Sequence, residues 1–243
     1  KNRSFYRVKL FNANVKYRQP KNTSNNIYFP KNLQKVLREA KAQGRKTILI
    51  CEGEKKAASA VAHGIPAVAL GGVDSWKNRT FILPSGTEFG KSYNDKDVNA
   101  KIPSGVDNIG ESGLTTMAVG FAELSDFAKV NDIHLIICYD TDEVDGTKFE
   151  VQRAAASLAY ELRHRGIPFS HLHQLVLPAM KSLDKVGVDD FLVHVGVEAF
   201  KRHIDNMLAS PSSFPQHPNP AEYVNRKLQK TKMTRKEAQA AAM

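Results

Sequence analysis

The sequence has little cysteine and no long apolar run. It contains two cysteines among 243 residues, and neither they nor the eight histidines have the spacing of a zinc finger. No apolar run approaches the roughly 20 residues that a membrane-spanning helix needs. These absences argue against a disulfide scaffold, a zinc finger and a membrane protein. We therefore expect a cytoplasmic location without membrane association, with Cys51 and Cys138 buried as reduced thiols.

Positive charge is concentrated at the two ends of the chain. The formal net charge is +10, and residues 1–46 hold 13 of the 35 lysines and arginines but only one acidic residue. Residues 221–243 hold six basic and two acidic residues. Basic arms on a mildly acidic centre are typical of a protein that binds a polyanion such as nucleic acid, although a solubilising surface would give the same composition.

Two short apolar segments end in acidic residues. Residues 135–139 lead into Asp140 and Asp142, and residues 47–51 end at Glu52. Continuous apolar runs of this length predict strands buried on both faces of a parallel sheet, and ligands collect at the carboxyl ends of such strands. Carboxylates gathered there repel each other unless a cation is present, and Mg2+ takes oxygen ligands. The pattern therefore predicts a metal-binding edge.

The same two segments resemble a known family. The strings CEGEKKAASAVAHGIPAVALGGVDSW (residues 51–76) and LIICYDTDEVDG (residues 135–146) are similar to the Toprim domain. They are most similar to the Toprim-like domain of plasmid and phage DNA primases and primase-helicases. The resemblance extends over residues 48–195. It implies an α/β, Rossmann-like fold with a roughly four-stranded, mainly parallel sheet flanked by helices.

The function that this resemblance implies is that of a DNA primase core. Such a nucleotidyltransferase makes short RNA primers on single-stranded DNA, here within the replication protein of a plasmid, phage or similar mobile element. Its implied partners are the single-stranded DNA template, ribonucleoside triphosphates and a helicase domain or partner, and its implied cofactor is Mg2+ or Mn2+.

Two alternatives remain open. One is a Toprim nuclease or topoisomerase-like enzyme that cleaves DNA strands, although no tyrosine here has the diagnostic context of a topoisomerase nucleophile. The other is a non-catalytic nucleic-acid-binding module that keeps the fold. That module would be expected to have lost its carboxylates, whereas Glu52, Asp140 and Asp142 are all present.

Carried over residue by residue, the resemblance assigns roles to the candidate site. Glu52, Asp140 and Asp142 are the catalytic residues, with Glu52 as acid/base or metal ligand. Metal binding is assigned to these three and to a third acidic cluster, Asp189 and Asp190, for which the cap of a helix is the alternative. Nucleotide or phosphate binding is assigned to five residues: Gly53, Lys55, Lys56, Gly71 and Gly72. Many Toprim sites have an acid at the position of Lys56, so we expect one metal ion rather than two.

Three regions are predicted along the chain. Residues 1–46 are a small, basic, β-rich amino-terminal extension with one helix. Residues 47–209 are the Toprim catalytic domain with an insertion near 77–115, and residues 210–243 are a Pro/Ser-rich linker and a basic helical tail. In the extension, basic and aromatic residues are interleaved, as in surfaces that stack bases and follow phosphates. The residues predicted to contact nucleic acid are Arg7, Lys9, Lys16, Tyr17 and Arg18; the alternative is a small β extension that only packs on the core.

Apolar periodicity predicts the individual elements. Helices are expected at residues 33–43, 54–63, 117–130 and 147–165, and strands at residues 47–51, 65–70, 135–139 and 172–177. Trp76 is expected to be a packing anchor rather than a base-stacking residue. His171 and His173 are expected on one strand face as partly exposed polar residues rather than metal ligands.

Overall fold

The computed structural model describes residues 8–9, 17–18, 24–78, 80–82, 88–90, 116–142, 149–181, 183–210 and 213–216. The strands are β1 (Val8–Lys9), β2 (Tyr17–Arg18), β3 (Thr47–Glu52), β4 (Ala67–Leu70), β5 (Lys77–Asn78), β6 (Thr80–Ile82), β7 (Glu88–Gly90), β8 (Thr116–Met117), β9 (His134–Cys138), β10 (Thr141–Asp142), β11 (Leu172–Gln174) and β12 (Lys185–Val186). The helices are α1 (Leu33–Ala42), α2 (Glu54–Ala62), α3 (Phe121–Val130), α4 (Phe149–His164), α5 (Val188–His194) and α6 (Val197–Leu208).

A four-stranded parallel sheet lies at the centre, in the order β11-β9-β3-β4. Strands β3, β4 and β9 consist mainly of aliphatic residues and are buried along nearly their whole length. Each fully buried valine, leucine or isoleucine side chain stabilises the fold by about 1.5–3 kcal/mol. The predicted α/β fold with a four-stranded parallel sheet flanked by helices is confirmed.

The helices cover both faces of this sheet. The crossover from β3 through α2 to β4 runs towards one edge, and the crossover from β9 through α4 to β11 runs towards the other. Because such crossovers are right-handed, α2 and α4 lie on opposite faces. Helix α2 also packs against α5. This packing brings α5 close to the end of the sheet where α2 begins.

Short segments pair with both edges of the sheet. Beside β4, Tyr28 and Ala69 exchange backbone hydrogen bonds of 2.8 and 3.0 Å. Beside β11, the amide of Gln174 donates to the carbonyl of Ser213 at 2.6 Å. These contacts cover part of the backbone that an open sheet edge would expose.

Several predicted boundaries differ from the structure. The helix predicted from residue 117 begins at Phe121, because Gly120 has a left-handed φ of 88° and Met117 pairs with Lys77 between β8 and β5. The strand predicted at 65–70 begins at Ala67, after Pro66, which has no amide proton to donate. The strand predicted at 172–177 ends at Gln174.

Predictions for individual side chains had mixed outcomes. Cys51 and Cys138 are buried free thiols, as predicted, and face each other in register across β3 and β9. Trp76 is also buried, with its ring centroid 6.2 Å from that of Phe121, which confirms the packing role. The prediction of partial exposure was wrong for His173, which is 6% exposed because the segment carrying Ser213 covers it.

Some predictions concern parts of the chain that the structure leaves undescribed. Residues 1–7, most of the segment predicted as an insertion and residues 217–243 lie outside the described residues. The boundaries of the three predicted regions therefore stay a prediction. Among the described residues, none of the helices combines the length and the apolar character needed to cross a membrane.

Candidate functional site

The candidate site lies at the carboxyl ends of β3 and β9. Glu52 is the last residue of β3, and Asp140 follows β9 by two residues. The two strands are neighbours, with Cys51 opposite Cys138, so both acidic residues reach the same edge as predicted. Between Glu52 and α2 the chain turns at Gly53, whose φ of 101° is a conformation that favours glycine. The Glu-Gly pair therefore lets the strand enter the helix directly.

Lys56, in the first turn of α2, forms an ion pair with Asp140. The distance between Lys56 Nζ and Asp140 Oδ2 is 2.9 Å, and the two side chains are only 19% and 17% exposed. The lysine that departs from the Toprim pattern is thus turned into the acidic site. Lys55, its neighbour, is exposed.

Gly187, which precedes α5, allows a close approach of three charged groups. A Cβ atom placed on Gly187 would collide with Cε of Lys56 and would lie 2.9 Å from Oδ1 of Asp189 and 3.2 Å from Oδ1 of Asp140. The two aspartate oxygens are therefore no farther apart than the sum of these distances. Both are buried without a hydrogen-bond partner among the described residues.

The surroundings at this edge raise the pKa values of both Glu52 and Lys56. Burial raises the pKa of Glu52 above its ordinary value, and the negative charge of Asp140 raises it further, whereas Lys56 and Lys185 act in the opposite direction. Burial acts to lower the pKa of Lys56. Its hydrogen bond to Asp140 and the charges of Asp140, Asp189 and Glu52 outweigh burial, so the pKa of Lys56 is raised.

The remaining predicted acidic residues have different surroundings. Asp190 accepts a hydrogen bond of 3.0 Å from the backbone amide of Gly187, which caps α5 and accounts for one member of the third acidic cluster. The backbone of Asp142 pairs with that of Lys185 between β10 and β12. The side chain of Asp142 lies outside the described part of the structure.

The predicted glycine turn lies at the same edge. Leu70, the last residue of β4, is opposite Glu52, and its carbonyl accepts a 2.7 Å hydrogen bond from the amide of Gly53. Gly71 and Gly72 follow directly and are partly exposed. The structure thus brings the two glycine turns together beside Glu52.

An ion pair between Arg153 and Asp74, which also lies at this edge, was not predicted from the sequence. Arg153 of α4 donates to Oδ2 of Asp74 at 3.1 Å, and Lys77 Nζ lies 3.5 Å from Oδ1 of Asp74. Tyr139 donates its hydroxyl to the carbonyl of Val73 at 3.2 Å; burial, followed by the charges of Glu52 and Asp74, raises its pKa well above the usual value. Asp74 follows the glycine pair by two residues, a spacing that offered the only sequence signal.

The side chains of all five residues predicted to contact nucleic acid lie outside the described part of the chain. Lys9 and Tyr17 are opposite one another in the antiparallel pair β1-β2, and Arg18 is opposite Val8. Their side chains, and the whole of Arg7 and Lys16, lie outside the described part of the chain. Their role in nucleic-acid binding stays a prediction.

A family model described as a domain of unknown function, DUF3854, matches residues 38–96 and 111–199. The chain belongs to the DUF3854 family. The matched ranges include Glu52, Lys56, Asp140 and Asp189, and the interval between the ranges falls within the segment predicted as an insertion. No curated protein matches the chain.

The suitability of this DUF3854 site for a metal ion can be judged from its donors. Among the described side chains, no group of three or more histidine, cysteine, aspartate or glutamate residues is arranged to hold a metal ion. The carboxylates nevertheless provide oxygen ligands, which suit Mg2+ and Mn2+. The unpartnered oxygens of Asp140 and Asp189, which face the same glycine, are the donors that fit such an ion.

Proposed function

We propose that this DUF3854 chain is the catalytic core of a DNA primase that joins ribonucleotides on single-stranded DNA with Mg2+ or Mn2+. The observation that carries the proposal is the cluster of Glu52, Lys56, Asp140 and Asp189 at the carboxyl edge of the parallel sheet. The resemblance of residues 51–76 and 135–146 to Toprim primases supports the reaction class. The proposed setting is a cytoplasmic replication protein of a plasmid or phage.

Glu52 is the proposed proton acceptor. In primer synthesis the 3′ hydroxyl of the growing strand attacks the α-phosphorus of the incoming nucleotide, and pyrophosphate leaves. The attacking hydroxyl must lose its proton, and a carboxylate with a raised pKa exchanges protons closer to neutral pH. The raised pKa of Glu52, caused first by burial and then by Asp140, suits this task.

The neighbouring aspartates are the proposed metal ligands. Asp140 and Asp189 offer the unpartnered oxygens, and Asp142 is assigned to the same task by the Toprim resemblance. When bound, Mg2+ or Mn2+ would supply positive charge that polarises the phosphate oxygens. After burial, the negative charge of Asp140 raises the pKa of Glu52, and this repulsion between carboxylates is the electrostatic reason for a cation at this edge.

The cations and glycines are the proposed phosphate-binding elements. Lys56 provides a fixed positive charge beside Asp140, and Lys55 provides an exposed one at the start of the same helix. Positive groups that are already in position before the reaction stabilise the negative charge that develops on the transferred phosphoryl group. Gly53, Gly71 and Gly72 are partly exposed and have no side chain, so they are the proposed points of close approach between the backbone and a nucleotide.

Primer synthesis on single-stranded DNA with labelled ribonucleotides and Mg2+ tests the proposal. The variants are Asp140→Ala, Asp142→Ala and Glu52→Gln, and the matched control is Asp126→Ala, a change at an aspartate with a 68% exposed side chain on α3. We expect short RNA products from the wild type and the control and none from the three site variants.

Two other outcomes would replace the proposal. Nicked or degraded DNA that depends on the same residues would assign the site to a nuclease. If wild type makes no product and its DNA binding is unchanged in the site variants, the chain is better described as a binding module.

A further inference from the structure

We propose that the exposed face at the start of α1 binds one strand of single-stranded DNA. This α1 surface consists of Tyr28, Phe29, Lys31, Lys35 and Arg38. The inference rests on the proposed function for the identity of the strand as template. Binding itself requires no catalysis, and the surface is distinct from the residues assigned to nucleic acid from the sequence.

The cations of the α1 surface form a stripe along the helix. Leu33, Val36, Leu37 and Ala40 are buried, so the opposite face of α1 is the side that carries Lys35 and Arg38. Lys31 lies in the turn before the helix, and all three basic residues are exposed. Their separations of four and three residues correspond to about one helical turn each, or about 5.4 Å. Each cation can therefore reach a different phosphate of one strand.

Ion pairs within the described part of the chain neutralise these three positive charges only weakly. Lys35 Nζ lies 3.9 Å from Glu39 Oε1, and the two side chains are 71% and 56% exposed, so water screens the interaction. Within the described part of the chain, Lys31 and Arg38 have no ion pair. The first turn of α1 also lacks an acidic residue, which the helix dipole would favour there. These positive charges would therefore stabilise a bound anion more than they stabilise the helix itself.

Two exposed aromatic residues immediately precede the cationic stripe in the chain. Tyr28 is 37% exposed and Phe29 is 43% exposed. The backbone of Tyr28 is held by its pairing with Ala69, and the ring of Phe29 lies so close to Gly120 that a Cβ there would be 2.7 Å from it. Aromatic platforms beside cations are how proteins bind single strands, since every base has a face that stacks.

The same features favour nucleic acid over an anionic membrane. A membrane-binding helix inserts an apolar face into the lipid, whereas the apolar face of α1 is buried in the core. Unstacked bases of single-stranded DNA, in contrast, match both the rings and the cations. A duplex would leave the aromatic rings without bases to stack on.

The test is binding of fluorescently labelled oligo-dT to the full chain at several salt concentrations, without nucleotides or Mg2+. The variants are Lys35→Gln/Arg38→Gln and, separately, Phe29→Leu, which keeps an apolar side chain against Gly120. The matched control is Lys181→Gln/Arg202→Gln, which removes the same charge at two other exposed positions.

We expect the α1 double variant to bind oligo-dT about tenfold more weakly and to reduce the slope of log K against log salt by about 1.4, or about 0.7 per phosphate contact. Phe29→Leu should weaken binding about fivefold or more without changing the slope, because stacking carries about 1–3 kcal/mol per base. The control should bind like the wild type.

Equal loss in the control and the α1 double variant would overturn the inference in favour of net charge. Undiminished binding by the α1 variants, or binding to phosphatidylserine vesicles with the same dependence on Lys35 and Arg38, would also overturn it. A chain that fails to synthesise primers but shows the expected binding pattern would contradict the proposed function and leave the α1 surface supported.

Discussion

Lys56 and Asp140, which are 84 positions apart in the sequence, form a largely buried ion pair at the tip of the sheet. The pair is bordered by Asp189, and it raises the pKa of Lys56 against the opposing effect of burial. A buried pair of this kind contributes little relative to apolar packing, but breaking it leaves a charge uncompensated. Lys56 is therefore the resident cation that keeps the carboxylates together.

Replacing Lys56 with an uncharged residue should destabilise the fold, and a bound metal cation should then restore part of the lost stability. Lys56→Met is expected to lower the free energy of unfolding by about 1–3 kcal/mol at neutral pH, because the partly buried Asp140 loses its charged hydrogen-bond donor. Millimolar Mg2+ should restore more stability to this variant than it adds to the wild type. Urea denaturation measures both effects. Lys55→Met, at the exposed neighbour, is the control, and a similar loss in both variants would contradict the role of Lys56.

Glu52 should reduce stability at neutral pH. Its pKa is raised in the folded protein, first by burial and then by Asp140, so the folded state holds the proton more tightly than the unfolded chain. Stability therefore falls as the pH rises from about 4.5 through the folded pKa, and then levels off. Glu52→Gln should remove this penalty and be more stable than the wild type at pH 7, while losing the proposed activity.

Urea denaturation midpoints of wild type and Glu52→Gln, measured from pH 4.5 to pH 8, check this sign. The gap between the two proteins should widen with increasing pH. A constant gap would show that the pKa of Glu52 is the same in the folded and unfolded states, and a variant that is less stable at high pH would show that the neighbours stabilise the carboxylate.

Gly187 should not tolerate a side chain, although its φ of −102° is ordinary. An added methyl group would meet Lys56, Asp189 and Asp140, so the cost arises from crowding rather than from the backbone. Gly187→Ala is expected to destabilise the fold by about 1–3 kcal/mol. If the crowding acts through Lys56, the double variant with Lys56→Ala should lose less than the sum of the single losses. Strict additivity, measured by urea denaturation, would count against this contact.

His173 should make the fold sensitive to acid. Burial, followed by the charge of His134, lowers the pKa of His173 from 6.5 to about 4. The folded state therefore binds fewer protons, and stability is lost as the pH falls from 6.5 towards 4, by up to about 3 kcal/mol. Its ring nitrogens contact His134 at 2.8 Å and Ser213 at 2.5 Å, which ties this edge of the sheet to the segment after α6.

The comparison of His173→Gln with His63→Gln isolates this contribution, because His63 is exposed at the end of α2. Denaturation at pH 7 and pH 5 should show a much smaller acid-induced loss for His173→Gln than for wild type. The His63 variant should keep the wild-type dependence, and the opposite ranking would assign the acid sensitivity to other groups.

Much of the sheet could be predicted from the sequence, and so could the meeting of Glu52 and Asp140. Residues 47–51 and 135–139 are continuous apolar runs, and such runs are stable as strands with both faces covered. Parallel strands end at the same edge of a sheet. The sequence alone therefore predicts that an acidic residue after each run lies at that edge. The boundary at Phe121 was missed because the left-handed turn at Gly120 depends on its neighbours.

What the sequence determined by itself is therefore the α/β fold and the acidic edge, since both follow from the spacing of apolar and charged residues along short segments. Only the tertiary structure decided that Lys56 pairs with Asp140, that Asp189 joins them across Gly187, and that His173 is buried. These contacts arise from the packing of α2 against α5 and from the segment that follows α6. Packing between distant segments leaves no periodic signal in the chain.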